Sequence, residues 1–205
     1  MAAVRAERRS QSERRDEAEQ RLLAAAVRLV AEQGLERVTL ADVGEAAGYS
    51  RGLPAHYFGS KAGLTVALAR HLIDGFGRAL DRTERHARGL ARLLGATAFY
   101  LDSAIKEPTG ARALSVILGE GFANPLISAH IGALNARCVK GFECNLRAAA
   151  AGGEIRPDVD PRAQAVLILA ALRGAVSQWL LAPDAIDLAA VRDEFVASLK
   201  RSLAR

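Results

Sequence analysis

Helix starts and glycine turns alternate through the 26 residues from Thr39 to Leu64, TLADVGEAAGYSRGLPAHYFGSKAGL, and this spacing restricts the chain to short helices meeting at sharp corners. An amphipathic run comes first, with Leu22, Ala26, Leu29 and Val30 on one face. Gly34 is placed to end it in the left-handed conformation that a glycine adopts without steric cost. Thr39 fits an N-cap, Asp42 completes a weak capping box, and Val38 and Val43 stand at the staple positions around them. A second helix therefore starts at Leu40 and stops at Gly48 after about two turns. Ser50 is expected to cap a third helix ending near Phe58. Gly44 is expected where the two helices cross closely, with Val43, Ala47, Tyr49 and Tyr57 filling the small core between them. This is the layout of a helix-turn-helix, whose last helix enters a DNA groove.

The local charge pattern agrees. No Asp or Glu occurs from Ala46 to Ile73, while Arg51, Lys61 and Arg70 do, so a phosphate backbone meets no like charge there. Helix N-termini expected at Ser50 and Ser60, the second with Lys61 at its first position, add amides and a cation for phosphates. The total charge of +5 is less informative, because residues 1 to 64 hold 10 basic and 9 acidic side chains. The first 20 residues mix both signs and lack the apolar run of a signal peptide. They read either as a solvated lead-in or as an arm along DNA through Arg5, Arg8, Arg9, Arg14 and Arg15.

The string S-R-G-x-x-x-H-Y-F-x-S-K-x-x-L from Ser50 to Leu64 resembles the signature of the TetR family of bacterial transcriptional regulators, usually close to S-K-G-T-L-Y-x-H/Y-F-x-S/N-K-x-x-L. The match is strong over roughly residues 14 to 64. The resemblance implies phosphate contacts at Thr39, Tyr57 and Lys61, and base contacts at Arg51, Gly52, Leu53 and His56. Ser50 and Ser60 complete the candidate DNA-binding set. His56 reads equally as a surface residue. Leu53, Pro54 and Ala55 replace the usual Thr-Leu-Tyr, so a phosphate-touching tyrosine is missing and Leu53 is left to meet thymine methyls. With Ser50 as cap, Pro54 would delete the bond back to the Ser50 carbonyl, giving a loosened or shifted first turn.

Strand signals are scarce in these 205 residues, half of them hydrophobic, so the expected fold is all-α. A flexible N-terminal arm (1–13) would precede a three-helix helix-turn-helix DNA-binding domain (14–64) and a helical ligand-binding and dimerisation domain (65–205). A connecting helix from Lys61 should pass Val66, Leu68, Ala69, Leu72 and Ile73 to at least Phe76. Residues 84 to 151 read as helices broken by Pro108 with Gly110, by Gly119 to Pro125, and by Gly152 with Gly153. Their apolar stripe reads by pattern as core packing. The resemblance adds a ligand cavity, with Phe99, Leu118, Phe122, Phe142 and Trp179 as candidate lining.

The segment from Ala163 to Leu181 is apolar nearly all round and must be covered on both sides. Gln164, Arg173, Ser177 and Gln178 argue against a membrane span. A homodimer interface is the better account, with Ala170 and Gly174 allowing close approach and Phe195 and Leu199 on a final helix completing it.

Groups for catalysis are sparse. His56, His71, His86 and His130 have no metal-ligand spacing, and the phosphate-loop, nucleophile-elbow and dinucleotide motifs are absent from the sequence. Cys138 and Cys144 fall on different faces of one expected helix, so they read as packing residues, with a thiol sensor as the lesser alternative. Together these features describe a non-enzymatic, cytoplasmic, homodimeric regulator without cofactor, released from a near-palindromic double-stranded DNA operator by a small-molecule effector. The rival is an all-helical small-molecule-binding or enzymatic bundle whose helix-turn-helix is purely structural.

Overall fold

Helix α1 (Gln11–Gln33) ends where Gly34 takes φ +79° and returns its N–H to the Val30 carbonyl at 3.0 Å. The computed structural model describes residues 11–83 and 87–205, so Arg5, Arg8, Arg9 and His86 lie outside the described residues. Arg14 and Arg15 sit on the first turns of α1 and belong to a helix, not to an arm.

Both halves of the capping box are formed at α2 (Leu40–Ala46): Thr39 Oγ1 accepts from the Asp42 N–H at 3.2 Å, and Asp42 Oδ2 accepts from the Thr39 N–H at 3.0 Å. Gly48, at φ +76°, then turns the chain toward α3 (Leu53–Phe58). Five longer helices and a final one follow: α4 (Lys61–Thr83), α5 (Gly89–Lys106), α6 (Pro108–Ala123), α7 (Pro125–Ala151), α8 (Pro161–Leu181) and α9 (Leu188–Leu203). Prolines open α6, α7 and α8, where a missing N–H costs nothing. Asp160 and Asp187 cap α8 and α9 through two backbone amides each.

Two buried clusters organise the helices. The first joins Leu22, Val30, Val43, Leu64 and Leu68 to Ala113 and Ile117 of α6 and to Ile127 and Ile131 of α7. The second gathers Leu93 and Leu101 of α5, Leu146 of α7, Ile168 and Leu172 of α8, and Leu199 and Leu203 of α9. Helix α4 runs without interruption across position 64, so one rigid element belongs to the helix-turn-helix and to the bundle above it.

Helix α8 is long and apolar enough to cross a membrane by length and composition alone. Here Ala165, Ile168, Leu169, Leu172 and Val176 are buried in the second cluster, while Val166 and Leu167 on another face are 46% and 61% exposed. One apolar face is core and another is bare.

Candidate functional site

The helix-turn-helix corner depends on Gly44. A Cβ there would lie 2.5 Å from the Ser50 carbonyl oxygen and 3.2 Å from Pro54 Cδ, so any side chain would force α2 and α3 apart. Pro54 is buried in this contact. Ser50 does not cap α3 as expected: the helix begins two residues later than that, at Leu53, with Gly52 at its N-cap, and the Ser50 carbonyl accepts from the Leu53 N–H at 3.1 Å. The proline explains the shift. Placed in the first turn, its missing N–H has no helical partner to lose, whereas a helix starting at Arg51 would have put it against the Ser50 carbonyl.

Of the nine DNA-binding candidates, Thr39, Ser50, Arg51, Gly52, His56, Ser60 and Lys61 are exposed, and Leu53 and Tyr57 are half-buried. Ser60 caps α4, accepting from the Gly63 N–H at 3.1 Å. Several of their polar groups already have partners within the chain. The Thr39 hydroxyl donates to Asp42 Oδ2 at 2.7 Å, and Lys61 Nζ donates to the Glu36 carbonyl at 2.6 Å. Tyr57 donates its hydroxyl to the Arg15 carbonyl at 3.2 Å, and the Arg15 guanidinium lies 5.9 Å from its ring centroid. Arg21 makes the same approach to Tyr49 at 5.9 Å. Two α1 arginines thus brace the aromatic residues of the reader, a role that sequence spacing gives no sign of. Arg51 pairs with Glu45 at 3.0 Å, so the acid-free window is closed at its edge by a carboxylate just outside it.

The bundle encloses a cavity of about 1020 Å³ between α4, α5, α6, α7 and α8. Leu118, Phe122 and Phe142 are on its wall, Phe122 being 94% exposed. Phe99 and Trp179 are not on its wall. Phe99 instead packs against Phe76 with ring centroids 5.4 Å apart, and Trp179 packs against the second buried cluster. Phe76 and Tyr100, themselves 5.4 Å apart, carry the aromatic wall.

Arg173, Asn135, Cys138 and His71 are among the polar residues that line it. Burial pushes the Cys138 thiol up despite Arg173 and Arg137 nearby, which keeps it protonated and a poor redox sensor. Burial, and secondarily Arg78, holds His71 below the usual imidazole range. Cys144 is exposed elsewhere on α7, and both cysteines are free. Among the described residues no group of three or more His, Cys, Asp and Glu side chains could hold a metal ion.

On the expected interface, Ala170 and Gly174 are exposed on α8 and Phe195 is half-buried. Leu199 is a correction. It is 4% exposed inside its own chain's core, because the α9 face that carries it turns inward onto α5 and α8.

Residues 22–68 match the model of bacterial regulatory proteins of the tetR family. The HTH-type transcriptional regulator TtgR of Pseudomonas putida is 29% identical over 189 residues, which span 88% of each chain. A regulator from Rhodococcus sp. assigned to the TetR family shares the fold with a TM-score of 0.83 at 21% identity, over 92% of this chain and all of that one. A protein from Saccharomonospora viridis, assigned as a transcriptional regulator and solved in complex with choline, gives a TM-score of 0.81 at 19% identity, over 93% of this chain and 99% of that one.

Proposed function

This chain belongs to the TetR family of bacterial regulatory proteins, whose members are transcriptional regulators and not enzymes, and from that premise we propose that it is a ligand-responsive, sequence-specific repressor. The observation that carries the proposal is the segment from Ser50 to Lys61, which contains no Asp or Glu and exposes Arg51, His56 and Lys61, held by Gly44 against α2 and joined through α4 to a cavity-bearing bundle. In this reading Arg51, Gly52, Leu53 and His56 meet bases. Lys61, Thr39 and the α4 N-terminus meet phosphates, and the Tyr57 hydroxyl serves as a strut to α1. Two copies, paired through the bare face of α8, would set the readers about 34 to 36 Å apart or a multiple of that, and so select a near-palindromic operator.

The cavity gives the reader something to respond to. A small molecule bound there releases the operator only by binding the DNA-incompetent geometry more tightly, and DNA then weakens the molecule's binding by the same factor. The choline held by the Saccharomonospora protein is a precedent for a small organic molecule bound by this fold. A cytoplasmic location goes with this role. The test is a selection of bound fragments from sheared genomic DNA. Recovered fragments should converge on an inverted repeat, whereas recovery that mirrors the input pool would contradict the proposal.

A further inference from the structure

The cavity is lined mostly by apolar side chains, and one arginine on its wall has incomplete hydrogen bonding. Leu72, Phe76, Leu118 and Phe142 make most of the wall apolar. Arg173 enters this lining from the middle of α8, the helix long and apolar enough to cross a membrane. The other two cavity arginines have carboxylates: Arg92 binds Asp81 at 2.6 Å, and Arg137 binds Asp74 at 2.5 Å. Arg173 has no ion pair among the described residues, and its Nε is buried without a hydrogen-bond partner. Its neighbour on the cavity wall is the phenol of Tyr100, whose O–H can donate to an anion placed between the two. The Oδ1 of Asn135, also on the cavity wall, is likewise buried and unpartnered.

A cation placed in an apolar cavity with an unused donor is costly unless something anionic completes it. A planar guanidinium matches a carboxylate through two parallel N–H donors, and the Tyr100 O–H adds a third. We propose that the effector is an amphipathic organic acid, its carboxylate held by Arg173 and Tyr100 and its apolar body lying against Phe76, Leu118 and Phe142. The proposal rests on the reading of the cavity as the effector site and adds the chemical class. A quaternary ammonium effector such as choline is disfavoured by the same arginine.

Isothermal titration of the full chain with three probes of equal chain length, dodecanoate, dodecan-1-ol and dodecyltrimethylammonium, tests it at concentrations below micelle formation. Dodecanoate should bind at least about tenfold more tightly than the alcohol, in line with a charge-assisted bidentate contact, and the ammonium should bind least. Arg173→Met should erase the preference for dodecanoate and leave the alcohol unchanged. Arg173→Lys, which keeps the charge and loses the planar fork, should retain part of it. Equal or tighter binding of the alcohol or the ammonium would overturn the anionic class while leaving the cavity reading intact. An Arg173→Met protein with a native helical spectrum and undiminished preference for dodecanoate would overturn it as well. Failure of all three probes to bind would overturn the cavity reading together with it.

Discussion

At the level of single residues, most polar groups of the reader are held within the chain before any DNA arrives. Glu45 pairs with Arg51 across an exposed surface, so the guanidinium must leave that carboxylate when it meets a base. Replacing Glu45 with Gln should therefore tighten binding to the recognised duplex, by roughly two- to fivefold, the scale of an exposed ion pair, and more than to a scrambled one. Unchanged affinity in an anisotropy titration would remove Arg51 from the interface. Lys61 donates one of its three protons to the Glu36 carbonyl and keeps the others for a phosphate. Lys61→Ala should weaken every sequence equally and flatten the dependence of log affinity on log salt by about one unit. A slope identical to wild type would place Lys61 outside the phosphate contacts. Sequence showed that Arg51 and Lys61 stood in an acid-free window. It could not show their intramolecular partners, because Glu45 and Glu36 come from outside that window and reach it only through the fold.

Among the elements, the boundaries with strong local chemistry were legible and the one set by a competition was not. Gly34, the Thr39 box and Gly48 each fix a helix end through a single conformational or hydrogen-bonding preference, and all three stand where expected. The start of α3 had two claimants, a serine able to cap and a proline that tolerates only the first turn, and the proline won by moving the helix to Leu53. The apolar stripe left its outcome open because cavity wall and core have the same composition: Phe142 faces the cavity, whereas Phe99 turns to Phe76. The Thr39 box also gives α2 a pH dependence. Hydrogen bonds from the Thr39 side chain and backbone hold the Asp42 carboxyl below the usual carboxylate range. Its contribution is complete above the unfolded-state value of about 3.9 and is lost as pH falls through the lower folded-state value. Asp42→Asn should accordingly destabilise the protein at pH 7, with the difference from wild type narrowing in urea unfolding below about pH 4. A gap that widened in acid would contradict the box.

For the whole molecule, the division into reader and bundle is less sharp in packing than in sequence. The core under the helix-turn-helix is completed by Ala113 and Ile117 of α6 and Ile127 of α7, so the first buried cluster is shared. Helix α6 also lines the cavity through Ala111, Leu118 and Phe122. One element thus touches the cavity on one side and α1 on the other, a long-range pairing that no local motif announces. Ile117 is fully buried at this junction. Ile117→Ala should cost about 2 to 4 kcal/mol of stability by urea unfolding, and a loss under 1 kcal/mol would show that the junction is loosely packed.

The central claim is that this molecule reads DNA sequence, and affinity measured against salt tests it most directly. Titrating the full chain with a duplex recovered from genomic selection, and with a scrambled duplex of equal length and composition, should give a preference of about 10³-fold or more that persists as both affinities fall with salt. Weak binding, equal for both duplexes at every salt concentration, would contradict the account and leave the helix-turn-helix as structure alone.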